Sequence, residues 1–137
     1  MPPELTKPQQ PEIFWGRLSH IEVLKRLHLS EYEIRNQAHL ELQRRGFTPE
    51  LIHLGRQATS PREVERLDLA ISLRKRKDVD PLPWLRYLSE DAHLEVSHQA
   101  LIALSEMADP FEAKLARERL GTENQIAAEG DPAVIRR

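Results

Sequence analysis

Residues 30–46 read SEYEIRNQAHLELQRRG. The apolar residues Ile34, Ala38 and Leu42 stand four apart, on one face of a helix. Ser30 and Glu33 have the spacing of a capping box at its start. Gly46, just after Arg44-Arg45, stands where a helix stops. This outline returns about every 30 residues, a period that marks a stacked helical solenoid. Glu33-Ile34, Glu63-Val64 and Glu95-Val96 each sit near the start of a helical run. Thr48-Pro49, Asp80-Pro81 and Asp109-Pro110 fall between the runs.

Upstream, residues 1–10 contain three prolines and two glutamines without periodicity and read as a flexible lead-in. Pro11 suits a first helical residue. Ile13, Phe14, Leu18, Ile21, Leu24 and Leu27 then trace a helical stripe, with Gly16 as its kink or division. Ile13-Phe14-Trp15 is expected to cap the core of the first repeat or to dock into a partner.

Downstream, Thr48-Pro49 opens a short helix carrying Leu51, Ile52 and Leu54. Ser60-Pro61-Arg62-Glu63 has the form of a second capping box. Its helix carries Val64, Leu67 and Ile71 and ends in Arg74-Lys75-Arg76-Lys77. Asp78 to Pro83 is a turn, and Trp84, Leu85 and Leu88 begin a third short helix. Trp84 is expected to pack between the second and third repeats. Asp91 is read as the cap of the next helix, whose apolar face is Val96, Ala100, Leu101, Leu104 and Met107. Asp109-Pro110 starts a last helix with Phe111 and Leu115 apolar, and Gly121 is read as its stop. The repeat domain is therefore expected over residues 11–121, with 122–137 a tail or partial repeat. Within that stretch, Asp131-Pro132-Ala133-Val134 resembles the opening of a further second helix. No stretch alternates as a strand would. The expected fold is all-α, a right-handed α–α superhelix of about three helix pairs.

Composition is that of an ordinary globular chain, with 31% charged and 39% hydrophobic residues in 137. The absence of cysteine excludes disulfides and thiolate metal sites and fits a reducing cytosol. No apolar run is long enough to span a membrane, and the N-terminus has no signal-peptide core. A cytoplasmic protein without a membrane anchor is expected. The net charge of -2 does not favour nucleic acid. Charge is nevertheless uneven: residues 1–77 carry 14 basic against 10 acidic side chains, and residues 78–137 carry 6 against 12.

These residues resemble the HEAT-repeat family, in the short bacterial form of phycobilisome-lyase-like proteins. The family's second helix usually begins Asp-Pro-x-Val-Arg, with Ala and Leu one and two turns on. Glu33-Ile34-Arg35 with Ala38 and Leu42 fits that pattern. Glu95-Val96-Ser97 with Ala100 and Leu104 fits its apolar positions, with serine in place of arginine. In Pro61-Arg62-Glu63-Val64-Glu65 the proline and valine fit, but Glu65 replaces arginine and Asp68 replaces alanine. The resemblance covers residues 19–120. It implies a scaffold that holds a protein partner, with the second helices lining the concave face.

Catalytic and cofactor chemistry find little support. Glu95-x-x-His98 places a carboxylate and an imidazole on one helix face, but a di-iron bundle needs a second such motif. HEAT-type di-iron hydroxylases use His-Glu dipeptides, and here every histidine precedes Ile, Leu or Gln. No nucleophile elbow or phosphate-cradling glycine loop is present, so no catalytic residue and no cofactor are expected. The runner-up role is nucleic-acid binding. Arg44, Arg45, Arg74, Lys75, Arg76 and Lys77 close two successive second helices and would form a basic edge, as in HEAT-like DNA glycosylases. Cations at helix ends also satisfy the macrodipole, and Glu106-Met107 interrupts the edge in the third repeat. With Arg35, these six form the candidate binding set.

Overall fold

The computed structural model describes the backbone of residues 14–130 and the side chains of residues 14–122. Within them the chain is all-helical, without a strand. Seven α-helices follow in order: α1 (His20–Lys25), α2 (Tyr32–Arg44), α3 (Pro49–Ala58), α4 (Glu63–Ser72), α5 (Leu82–Ser89), α6 (Leu94–Met107) and α7 (Pro110–Gly130). Tight 3-10 turns cover Trp15–Arg17, Arg26–His28 and Leu73–Lys75. The single first helix expected from residue 11 is thus divided, and the division falls at Leu18-Ser19 rather than at Gly16. Ser19 accepts from the Glu22 amide at 3.1 Å, and the Glu22 carboxylate accepts from the Ser19 amide at 3.0 Å. That reciprocal capping box starts α1 afresh. Pro11 and Ile13, the lead-in of residues 1–10 and the motif at Asp131 lie outside the described residues.

Helices α2, α4 and α6 start at residues 32, 63 and 94, which fixes the repeat at 31 residues. In that register Arg35 matches Arg66 and Ser97, Ala38 matches Leu69 and Ala100, and Leu42 matches Leu73 and Leu104. All six of these apolar residues are buried. The first helices keep the same step: Val23, Leu54 and Leu85 are fully buried. The expected match of Glu63-Val64 with Glu33-Ile34 is therefore one residue out of step. One residue is about 100° of helix rotation. As a result Leu69, Ala70 and Leu73 face the core, while Val64 and Ile71 are exposed. Arg66 fills the arginine position assigned to Glu65, and Leu69 the alanine position assigned to Asp68.

The helix ends differ from expectation in four more places. Neither Ser30 nor Ser60 caps a helix: α2 and α4 begin after Glu31 and Arg62, with no side-chain cap. Ser60 instead accepts from the Arg62 amide and donates to Glu65. His93 is the N-cap residue of α6, and Asp91 accepts from the His93 amide just ahead of it. Gly121 lies inside α7, which runs on to Gly130. A helical glycine costs only about 1 kcal/mol relative to alanine, and no proline stands between Gly121 and Gly130 to enforce a stop. Other ends match. Gly46, at φ 89°, closes α2 in a Schellman motif, with Phe47 N donating to Leu42 O and Gly46 N to Gln43 O. Thr48 caps α3 ahead of Pro49, and Asp109 accepts from the Phe111 and Glu112 amides at the start of α7.

Packing joins each helix to its chain neighbour: α1 to α2, α3 to α4, α5 to α6, and α6 to α7. Across the pairs, α1 packs on α3, α3 on α5, and α4 on α6. Two apolar clusters result. The smaller contains Val23, Leu24, Leu27, Ala38, Leu42 and Ile52. The larger runs from Leu54 to Ala116 and includes Leu69, Leu73, Leu85, Leu88 and Leu101. Trp84 packs against both. It reaches the smaller one across Gly55, where a Cβ would lie 2.7 Å from a Leu24 methyl and 3.1 Å from the Trp84 ring.

Candidate functional site

The two expected binding motifs, the arginine of the second helix and the basic helix ends, are largely occupied within the molecule. Arg35 donates through Nη1 to the carbonyls of Leu29 (2.9 Å) and Ser30 (2.7 Å), and its guanidinium lies over Tyr32. At the matching position Arg66 donates to the Ser60 carbonyl at 2.7 Å and pairs with Asp91 at 2.7 Å. Each arginine therefore ties its helix to the connection that leads into it. In the third copy Ser97 is too short for this role and donates to Leu94 O within its own helix.

Arg44 and Arg45 both pair with Glu41, at 2.6 and 2.7 Å. Glu41 is only 8% exposed and Arg45 11%. Arg45 also donates to the Trp15 and Leu18 carbonyls at 2.6 and 2.8 Å and meets His20 Nδ1 at 3.0 Å. Hydrogen bonds from Arg44 and Arg45 hold the Glu41 carboxyl at about 2, far below its ordinary 4.5. This cluster anchors the 3-10 turn at Trp15–Arg17 to α2. Arg74 reaches from the end of α4 to Glu106 on α6 at 2.6 Å. Arg76 pairs with Asp78 at 2.7 Å, which raises the arginine and lowers the aspartate. Among the described residues, Lys75 and Lys77 alone of the six helix-end cations have no side-chain partner.

The 31-residue register brings forward a different surface. Leu40, Ile71 and Ile102 occupy one position of α2, α4 and α6. Leu40 is 55% and Ile71 43% exposed, and Ile102 is half-buried. A groove of about 380 Å³ beside Ile71 is lined by Leu67, Leu94, Glu95, His98 and Gln99. Beside Leu40 a second, of about 330 Å³, is lined by Trp15, Gln37, Glu41 and Arg44. Trp15 leans on the first core and donates to Gln37 Oε1 at 3.3 Å, while Phe14 is exposed.

No family model, curated protein or solved structure matches this chain. Its surfaces therefore have to be read from their own chemistry. Among the described residues no three His, Cys, Asp or Glu side chains converge as metal ligands, and no helix is long and apolar enough to cross a membrane. Sequence reading missed Arg66 and the aliphatic row because it used the wrong register. It could have found the paired helix end, because Glu41 stands three and four residues before Arg44 and Arg45.

Proposed function

We propose that this chain is a non-enzymatic protein-interaction module. In this reading it is a cytoplasmic scaffold, a right-handed superhelix of about three HEAT-like helix pairs that grips a protein partner on its second helices. The row Leu40, Ile71 and Ile102 carries the proposal. Aliphatic side chains that recur at one register of α2, α4 and α6 and stay partly in water offer landing points for an apolar partner surface. Its flanks are polar, with Gln37 beside Leu40 and Gln99 beside the Ile71 groove. A polar rim around an apolar strip is the common anatomy of a protein interface.

The experiment is affinity capture with the intact chain, compared with Leu40→Asp/Ile71→Asp. Both positions are exposed, so the variant keeps its fold, which circular dichroism checks. The expected result is one set of partners retained by the native chain and lost by the variant. Equal retention by both would place the interface elsewhere. The nucleic-acid reading ranks second, because Glu41, Glu106 and Asp78 offset part of the charge of Arg44, Arg45, Arg74 and Arg76.

A further inference from the structure

A pocket of about 410 Å³ opens between α3 and the turn leading into α4. Its walls include His28, His53, Arg56, Gln57, Arg62 and Glu65. The two arginines distinguish it. Every other arginine between residues 14 and 122 commits its guanidinium to a carboxylate, a backbone carbonyl or an aromatic ring. Arg56 and Arg62 have no side-chain partner among the described residues, and both line this one pocket. They come from different elements, the last turn of α3 and the connection ahead of α4.

We propose that this pocket binds a doubly charged tetrahedral oxyanion of the phosphomonoester class, held between Arg56 and Arg62. A single carboxylate is satisfied by one guanidinium fork. Two forks from separate elements match a dianion that offers acceptors in several directions. Burial pushes His28 below the ordinary imidazole range, against the opposing hydrogen bond to the Arg56 backbone, so positive charge rests with the arginines. His28 meets Thr59 Oγ1 at 3.1 Å, which fixes the inner wall. The one acidic group, Glu65, has a carboxylate oxygen occupied by the Ser60 hydroxyl at 2.9 Å. Gln57 donates to the Glu65 carbonyl at 3.0 Å and braces the same wall. The site shares no residue with the aliphatic row, so it stands or falls apart from the scaffold reading.

The test titrates the intact chain with O-phosphoserine and, in parallel, inorganic phosphate, at low ionic strength, read by calorimetry and by the His28 and His53 ring resonances. Saturable one-site binding is expected. Arg56→Ala and Arg62→Ala should each weaken it about tenfold, and Lys75→Ala/Lys77→Ala should leave it unchanged. The lysine conservative variants Arg56→Lys and Arg62→Lys should fall between, and they decide the matter if an alanine variant misfolds. Tighter binding of O-phosphoserine would identify an esterified phosphate as the source, and equal binding the free anion; either supports the site. Absence of saturation, acetate binding as tightly as phosphate, unchanged affinity in the arginine variants, or an equal loss in the Lys75/Lys77 variant would overturn it.

Discussion

Where α2 buries Glu41, the matching position of α6 holds Ala103. Around Ala103 the neighbours are apolar, part of a cluster that takes in α3 to α7. Around Glu41 two guanidiniums and two backbone carbonyls close a charged cluster at the edge of a much smaller core. The first helix pair has a short α1 flanked by 3-10 turns, and among the described residues its cluster holds six buried residues against thirteen in the other. Directional polar bonds supply the fixation that the later pairs obtain from contact area. The same spacing thus supports two kinds of interior, one tolerant of acid and one sensitive to it.

The contrast can be tested at three points. Leu24 is fully buried and sits at the seam between the two clusters. Leu24→Ala should cost about 2–5 kcal/mol by thermal or urea unfolding, the largest single effect. Hydrogen exchange should show the loss first in α1 and α2, and uniform loss across all helices would mean that the clusters act as one core. Glu41→Gln should cost less, and its effect should depend on pH. The Glu41 carboxyl sits at about 2 in the folded chain against an ordinary 4.5. A lowered folded value means stability that is present above pH 4.5 and lost as pH falls toward 2. The native chain should therefore lose more stability than the variant over that window, with the first pair opening first. Parallel curves would remove Glu41 from the account. The smallest effect is expected at Gly55→Ala. The added methyl would press on the Leu24 side chain, costing roughly 1–3 kcal/mol, against a gain of about 1 kcal/mol in helix propensity. A net loss near 1 kcal/mol is expected from urea midpoints, and a net gain would show that the seam is loosely packed.

Much of the architecture was legible. The 3.6-residue apolar spacing located helices α2 to α7, and Gly46, Thr48-Pro49 and Asp109-Pro110 marked their ends correctly. The face each helix turns inward was not. Helix α4 and the turn that follows it carry two apolar sets, Val64-Leu67-Ile71 and Leu69-Ala70-Leu73, and packing against α3, α5 and α6 selects the second. The same ambiguity recurs in α7, where Ala113 and Ala116 are buried and the larger Phe111 and Leu115 are exposed. The basic edge was legible as a list of cations but not as a surface. Arg74 finds Glu106 across 32 residues of sequence, and no local pattern announces that pair. Arg56 and Arg62 do not stand out in the sequence as a binding pair, because neither belongs to a run of like charge. What sets them apart is that neither guanidinium has a side-chain partner among the described residues.

One position shows what the regular spacing leaves open. Leu24, Gly55 and Arg86 stand at the same register in successive pairs: a large apolar group, no side chain, and a cation that pairs with Glu112. The space left by the glycine is filled by the leucine from the copy before it. Copies of the unit are therefore alike in length but not interchangeable. A leucine at position 55 would set two leucines against each other at the seam, and a glycine at position 24 would leave a void there, so which helix pair follows which matters to the packing.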